Sequence, residues 1–205
     1  MRRRSQAVAR FVKRPSRRFG VGFARRTVAA VAMLLVIAGA HCAALADTQL
    51  TEYQIKVAFL CKFGNFVEWP LRQAAASDSA FGIGVVASDA VVDELTRAAR
   101  GQMVNGRPIT VRRLARGDPV DGIAIIFVAR THAGRLEETL GAVKGQPILT
   151  VTESDSGTAV GSMVNFVVVD DKVKFDIALQ PAEMSNLKIS ARLLSVARTV
   201  IGRSS

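Results

Sequence analysis

The segment Gly161–Arg198 reads GSMVNFVVVDDKVKFDIALQPAEMSNLKISARLLSVAR and combines two β-patterned runs, a tight turn and a helical pattern. Met163–Val169 is almost wholly apolar, which is typical of a strand buried on both faces. Asp170-Asp171 provide turn chemistry, and the run after them alternates apolar and polar residues. This order predicts a hairpin with one central and one more exposed strand. The apolar period then becomes helical, and it predicts a last helix that Ser190 caps and that reaches Ile201.

Upstream of this segment, helical and strand-like patterns alternate along the chain. Thr51–Trp69 has a helical period that ends before Pro70. The other predicted elements are a buried strand at Phe81–Ala87, a helix at Asp89–Ala99, a half-exposed strand at Ile109–Leu114, a buried strand at Ile123–Ala129, a helix at Thr131–Val143 and a short buried strand at Pro147–Val151. Such alternation predicts an α/β sandwich, in which helices flank a mostly parallel, mixed β-sheet and the C-terminal hairpin and helix complete it.

Charge separates the first 46 residues from the rest of the chain. The whole sequence has 28 Lys and Arg against 17 Asp and Glu, a net charge of +11. Residues 1–46 contain nine Arg, one Lys and no acidic residue, which leaves 28 − 10 = 18 basic against 17 acidic residues, or +1. The basic balance therefore belongs to the N-terminal segment, and it does not indicate a nucleic-acid-binding domain.

The N-terminal segment has the pattern of an export signal. Its basic start precedes the apolar run Thr27–Ala40, which is shorter than the roughly 20 residues of a membrane span. Ala44 and Ala46 then form a small-residue cleavage site before Asp47. We expect a secretory signal peptide over residues 1–46 and a single domain over 47–205. The apolar run favours general secretion over the twin-arginine route, and an uncleaved anchor is the alternative.

Catalytic and metal-binding patterns are missing from residues 47–205. His132 and Cys61 are the only histidine and cysteine there, so a transition-metal site, an internal disulfide and a Ser-His-Asp arrangement are not predicted. No phosphate-binding glycine motif occurs, and Gly82 and Gly84 are explained by close packing inside a strand. Cys61 falls on the apolar face of the first helix, which favours a buried structural thiol over a reactive one.

Two groups of charged residues are interpreted as solvated surface. The first is the basic cluster Arg107, Arg112, Arg113 and Arg116, for which an anionic partner or a membrane-proximal surface is the alternative. The second is the set of acidic loop residues Glu153, Asp155, Asp170 and Asp171, for which a Ca²⁺ site is the alternative, although their spacing is not that of an EF-hand.

A partner- or ligand-binding surface is predicted where the first helix ends and the last one begins. Large aromatic residues near a helix end are either core residues or interface anchors. At the other element, free backbone N–H groups entering the last helix can hold an anion. Glu68 and Lys188 would form an ion pair if these ends meet. The candidate residues are Phe63, Glu68, Trp69, Lys188 and Ser190, whereas Phe66 is assigned to the core.

The order of several motifs resembles the YfiR family over nearly all of residues 47–205. These motifs are YQIKVAFL from Tyr53 followed by FVEWP from Phe66, GRPI from Gly106 with VRRL from Val111, PILTV from Pro147, GSMVNF from Gly161 with VKFDI from Val173, and LKIS from Leu187 with Leu193, Leu194, Ala197 and Arg198.

The resemblance implies a non-enzymatic periplasmic regulator. Proteins of the YfiR type bind the periplasmic sensory domain of an inner-membrane diguanylate cyclase and hold it inactive, and their release raises cyclic-di-GMP and favours biofilm formation. The resemblance further implies a homodimer, an outer-membrane lipoprotein as a second partner and no cofactor. Family members often carry cysteines that can pair. Residues 47–205 contain Cys61 alone, which argues against redox control by an intramolecular disulfide. The alternative is a periplasmic small-ligand-binding or sensor module with a pocket near Glu68, Trp69, Lys188 and Ser190.

Overall fold

The computed structural model describes residues 52–70 and 80–202, which belong to one unit, Asp47–Ser205. Helix α1 covers residues 52–66. The elements after it are β1 (Val67–Glu68), β2 (Phe81–Val86), α2 (Asp89–Ala99), β3 (Met103–Val104), β4 (Arg107–Arg113), β5 (Ile123–Val128), a 3-10 helix (Arg130–Arg135), α3 (Leu136–Ala142), β6 (Leu149–Thr152), β7 (Val164–Val169), β8 (Lys172–Ala178), α4 (Leu179–Met184), β9 (Lys188–Ile189), α5 (Ala191–Leu194) and β10 (Thr199–Ile201). The predicted signal peptide, with Ala44, Ala46 and Asp47, lies outside the described residues.

Eight strands form the main sheet in the order β10-β8-β7-β6-β5-β2-β4-β3. Five of its seven neighbouring pairs are parallel, and only β7–β8 and β3–β4 are antiparallel. The predicted α/β sandwich with a mostly parallel, mixed sheet is therefore confirmed. β1 and β9 form a separate two-stranded antiparallel ribbon beside this sheet.

Apolar side chains bury both faces of the sheet. Helices α1 and α2 cover one face, where Phe63 is fully buried among aromatic rings, with its centroid 5.8 Å from that of Phe166 and 5.1 Å from that of Phe175. Helix α3 covers the other face through Leu136 and Leu140. Full burial of one large apolar side chain contributes about 1.5–3 kcal/mol, so the aromatic cluster anchors α1 to the sheet.

The sheet is tightest where β2 meets the start of β5. A Cβ atom on Gly82 would lie 2.2 Å from the carbonyl oxygen of Gly122, a distance that the two backbones do not tolerate. This confirms that close packing, and not a phosphate-binding loop, accounts for a glycine at position 82.

The C-terminal segment corrects two predictions. The last helix ends at Leu194 instead of continuing to Ile201, and Thr199–Ile201 forms β10, parallel to β8. Three β-branched residues favour a strand there, and the Arg198 N–H donates to the Phe175 carbonyl 2.8 Å away. β10 extends the sheet beyond β8, so β8 is not the exposed strand that the sequence predicted. The exposed residues of the β7–β8 hairpin lie instead at its turn end, in both strands.

Three short elements also differ from the predicted order. Helix α1 ends at residue 66, and β1 takes the place of its predicted last turn. β3 lies opposite β4 across an Asn105-Gly106 turn, and α4 begins directly after β8. No helix within residues 52–70 and 80–202 is long and apolar enough to cross a membrane.

Candidate partner-binding site

The end of α1 and the start of α5 meet in the two-stranded ribbon, as the pairing hypothesis requires. Val67 lies opposite Ile189, and Glu68 lies opposite Lys188. The Ser190 N–H donates to the Phe66 carbonyl at 3.0 Å, which satisfies a carbonyl that the end of the helix would leave unpaired. Sequence reasoning thus brought the correct two segments together, although it placed them on two helix ends and not on two strands.

Glu68 and Lys188 are exposed cross-strand neighbours. Directly opposite residues of an antiparallel pair place their Cβ atoms about 4.5–5.5 Å apart, so opposite charges there attract. No ion pair joins the two side chains within the described part of the chain. Both residues are exposed, so their charged groups are accessible from solvent.

Ser190 caps the last helix, as predicted. Its Oγ accepts the Leu193 N–H at 3.3 Å, and its carbonyl accepts the N–H groups of Leu193 and Leu194 at 2.9 and 3.1 Å. Helix α5 is only four residues long. The N–H groups of Leu193 and Leu194 are therefore already bonded within the helix, and anion binding at Lys188 and Ser190 stays a prediction.

Trp69 lies beside the ribbon and packs against the sheet. Its ring meets that of Phe81 edge to face, with centroids 5.5 Å apart and planes at 83°. Its Nε1 is buried and has no hydrogen-bond partner among the described residues, although a buried tryptophan N–H usually has one. Trp69 as a whole residue is half-buried, and it directly follows the exposed Glu68.

Of the two phenylalanines, Phe66 and not Phe63 belongs to this surface. Phe63 is 0% exposed inside the aromatic cluster, which corrects its assignment as a contact residue. Phe66 is half-buried, and the Arg192 guanidinium lies 6.0 Å from its ring centroid, which is cation–π distance. We define the ribbon surface as Phe66, Glu68, Trp69, Lys188 and Arg192.

A buried ion pair that the sequence did not predict ties α1 to the sheet. Lys56 is 1% and Glu153 is 3% exposed, and the Lys56 ammonium binds both Glu153 and Glu52. The Arg130 N–H and the Tyr53 hydroxyl also donate to Glu153, at 3.3 and 3.5 Å. The interpretation of Glu153 as a solvated loop residue is therefore wrong. The available signal was the position of Lys56 next to Val57 on the apolar side of the helix.

Burial changes the protonation of two groups on α1. Desolvation raises the pKa of the Tyr53 phenol above its ordinary value, and the negative charge of Glu153 raises it further. Desolvation also raises the pKa of the Cys61 thiol. Cys61 is buried, as predicted, and a thiol that resists ionisation is a poor nucleophile.

The arginines of the basic cluster are bonded within the fold. Arg113 pairs with Asp89 and Arg116 with Glu138, each at 2.8 Å, and Arg112 donates to the Pro119 carbonyl. These contacts favour the solvated-edge interpretation of the basic cluster.

Among the described residues, neither a metal-ligand group nor either of two large cavities involves the ribbon surface. Within residues 52–70 and 80–202, no three His, Cys, Asp or Glu side chains are grouped so that they could hold a metal ion. Two cavities, of about 500 and 580 Å³, are lined by residues outside the ribbon surface. The pocket expected near Glu68, Trp69, Lys188 and Ser190 is not one of them.

The fold defines an α/β domain with a mostly parallel sheet, and the ribbon surface is a partly exposed group of aromatic and charged residues at its side. Comparison with known families makes this specific: the chain belongs to the YfiR/HmsC-like family, which it matches over residues 53–198. The family is a regulatory one, and it suggests a periplasmic regulator of cyclic-di-GMP signalling. No curated protein matches the chain significantly.

Proposed function

We propose that this protein binds the periplasmic sensory domain of an inner-membrane diguanylate cyclase and represses the cyclase. Family membership supports a regulator of this pathway. The observation that supports the ribbon surface as the contact is the register of the ribbon, which places Glu68 opposite Lys188 and next to Trp69. The exported chain would meet the sensory domain in the periplasm, and repression there controls cyclic-di-GMP and biofilm formation.

The ribbon surface has the composition of a specific protein contact. Partly exposed aromatic residues and arginine are enriched in interfaces, and Phe66 with Arg192 and Trp69 supply both. Two opposite charges beside them set the orientation of the partner, since a reversed charge pattern brings like charges together. A surface that combines partly exposed aromatic residues with one negative and one positive charge in fixed positions therefore favours a partner with the complementary charge arrangement over other proteins.

Repression requires no catalytic group in this protein. A regulator shifts a two-state cyclase by binding its inactive state more tightly than its active state. The buried Lys56–Glu153 pair and the aromatic cluster hold α1 against the sheet, so the ribbon at its end is presented by a rigid element. A rigid surface can discriminate between two shapes of the sensory domain.

The test is a titration of residues 47–205 against the purified sensory domain of the diguanylate cyclase from the same organism. We expect Glu68→Lys and Lys188→Glu each to lower the affinity about tenfold, since each reverses one charge at the interface. Lys172→Glu, at the exposed start of β8, is the matched control and should change the affinity by no more than about twofold.

The charge-swapped double variant Glu68→Lys/Lys188→Glu separates binding from folding. It keeps opposite charges across the ribbon but reverses their order, so stability should be retained while affinity stays low. Absence of wild-type binding, together with unchanged cyclic-di-GMP after deletion of the gene, would refute the proposed function.

A second candidate is a small-ligand sensor, which the cavity of about 580 Å³ between α1 and α2 favours. Glu94, which is 2% exposed, lies there and accepts from Gln54 at 3.1 Å and from Arg97. Native mass spectrometry of protein purified from the periplasm would show a bound small molecule if this candidate is correct, and protein mass alone would exclude a tightly held ligand.

A further inference from the structure

Exposed apolar side chains gather at the edge of the sheet that β10 forms. Large hydrophobic residues that are at least 40% exposed in the described chain number seven, and four of them belong to β10 or to segments next to it. These four are Met184, Val196, Val200 and Ile201. Helix α4, which ends at Met184, contacts β10. Exposed apolar residues grouped in this way are typical of an interaction surface.

The backbone of β10 is also available to a partner. Among the described strands, β10 pairs only with β8 and ends the sheet on that side. An edge strand presents unpaired N–H and C=O groups, and proteins usually protect such an edge with charges or proline. Thr199–Ile201 contains neither. Its nearest cation, Arg198, is turned back onto Asp176, with Nε 2.7 Å from Oδ1, and that bond raises the pKa of Arg198.

A groove of about 500 Å³ continues from this edge. Ile201 and its register neighbour Ala178 lie on the same side of the sheet, and both line the groove with Met184 and Pro181. An added strand beside β10 would therefore place one of its alternate side chains next to the groove at Ile201.

The groove fits an apolar foreign strand better than a fully overlapping second copy of this chain. Two β10 strands that overlap fully in antiparallel register place Thr199 of the second copy opposite Ile201. A short polar side chain there leaves the groove unfilled, whereas a large apolar side chain extends its apolar lining. The uncharged edge likewise favours an uncharged segment.

We propose that β10 binds an extended apolar segment of the cyclase sensory domain by strand addition. The segment would pair its backbone with Thr199–Ile201 and direct an apolar side chain into the groove beside Ile201. This proposal rests on the proposed function, because it assigns a second contact with the same partner. Helix α4 contacts both β9 and β10, so the ribbon surface and this edge adjoin the same element.

The test combines amide hydrogen exchange with a pair of matched lysine variants. In the wild-type protein, residues 199–201 should gain protection when the purified sensory domain is added. Val200→Lys should weaken binding roughly tenfold or more, because it places a charge on the pairing edge. Val168→Lys is the control: Val168 is 43% exposed against 41% for Val200, and it lies at the turn end of the β7–β8 hairpin. It should leave affinity within about twofold.

Each other outcome has a definite meaning. Wild-type binding without protection of residues 199–201, and with unchanged affinity for Val200→Lys, overturns strand addition and leaves the proposed function standing. Failure of the wild-type protein to bind overturns this inference, and together with unchanged cyclic-di-GMP after deletion of the gene it also refutes the proposed function. A sedimentation experiment in which Val200→Lys abolishes self-association, but not cyclase binding, would assign the edge to a second copy instead.

Discussion

At the scale of single residues, Gly157 closes the loop between β6 and β7. A Cβ atom at this position would lie 2.3 Å from Asn165 Oδ1 and 2.3 Å from Thr152 Oγ1. Those two atoms are themselves hydrogen-bonded at 2.7 Å, and Asn165 Oδ1 also accepts the Ser154 N–H at 3.0 Å. The loop can therefore dock on this buried polar network only because residue 157 has no side chain.

We predict that Gly157→Ala destabilises the domain of residues 47–205 by about 1–3 kcal/mol, since the added methyl group overpacks a rigid polar site. Urea unfolding of residues 47–205 measures this free energy. Gly141→Ala is the control, because Gly141 lies in α3 with nothing within 4 Å of its Cβ position. It should stabilise the domain by up to about 1 kcal/mol. Equal losses in the two variants would contradict the argument.

Cys61 gives a prediction about pH. Burial raises the pKa of its thiol in the folded protein, so the unfolded chain ionises first as the pH rises. The contribution of Cys61 to stability is fully present below the unfolded pKa of about 8.5 and is lost as the pH rises through the folded pKa. Urea unfolding between about pH 8 and 10 should show a falling free energy of unfolding, and Cys61→Ala should reduce that slope. An identical slope in the variant would show that other groups cause it.

At the scale of elements, the Lys56–Glu153 pair fixes α1 to the sheet. Removing one partner of a buried pair leaves an uncompensated charge in the interior and costs about 3–5 kcal/mol. We predict a loss of that size for Lys56→Met, measured by thermal and urea unfolding. Lys62→Met, on the exposed side of the same helix, should cost no more than about 1 kcal/mol, although Lys62 lies 5.7 Å from the Phe59 ring centroid.

The double variant Lys56→Met/Glu153→Leu checks the cause of that loss. Replacing both charges with apolar groups of similar volume is often neutral, so the double variant should recover most of the stability. If it is as unstable as Lys56→Met, lost packing or the lost hydrogen bonds of Tyr53 and Arg130 to Glu153 explain the effect, and the unpaired carboxylate does not.

The elements also show how far local pattern predicts this fold. Long patterned runs such as Ile123–Val128 are identifiable from the sequence, because a continuous run of six apolar residues between turn residues is typical of a buried strand. β10 was missed because Leu193, Leu194, Ala197 and Val200 happen to fit a helical period. Its strand conformation depends on contacts of Arg198 with Phe175 and Asp176, which no local window contains.

The candidate site was predictable in location but not in detail. Aromatic and charged residues at two predicted helix ends indicated where the chain would meet, and the ribbon register joins Glu68 to Lys188. Phe63 and Phe66 lie three residues apart on the same side of α1, so the helical period does not say which of them is exposed. The contacts of Phe63 with Phe166 and Phe175 show that Phe63 is the buried one. Tertiary partners therefore determine exposure where the periodicity allows both assignments.

At the scale of the whole molecule, the proposed repression depends on how much more tightly the protein binds the inactive cyclase than the active one. To move a two-state cyclase from 1:99 to 99:1 in favour of its inactive state, a ligand must bind that state about 10⁴-fold more tightly. Such discrimination exceeds what one exposed ion pair supplies, because surface pairs contribute about 0–1 kcal/mol. Aromatic contacts at Trp69 and Phe66, and the strand addition proposed at β10, are the additional sources that this fold offers.

Linkage makes this requirement measurable. If the protein represses by preferring the inactive sensory domain, a cyclase variant shifted towards its active state must bind the protein more weakly. The apparent affinity falls in proportion to the fraction of sensory domain that remains in the inactive, binding-competent state. We expect isothermal titration of residues 47–205 against constitutively active sensory domains to give affinities that fall as basal activity rises. Glu68→Lys should weaken binding to every such domain by the same factor, since it removes contacts without changing the cyclase equilibrium. Affinities that do not vary with basal activity would mean that the protein binds both states equally, and in that case binding alone could not repress the enzyme.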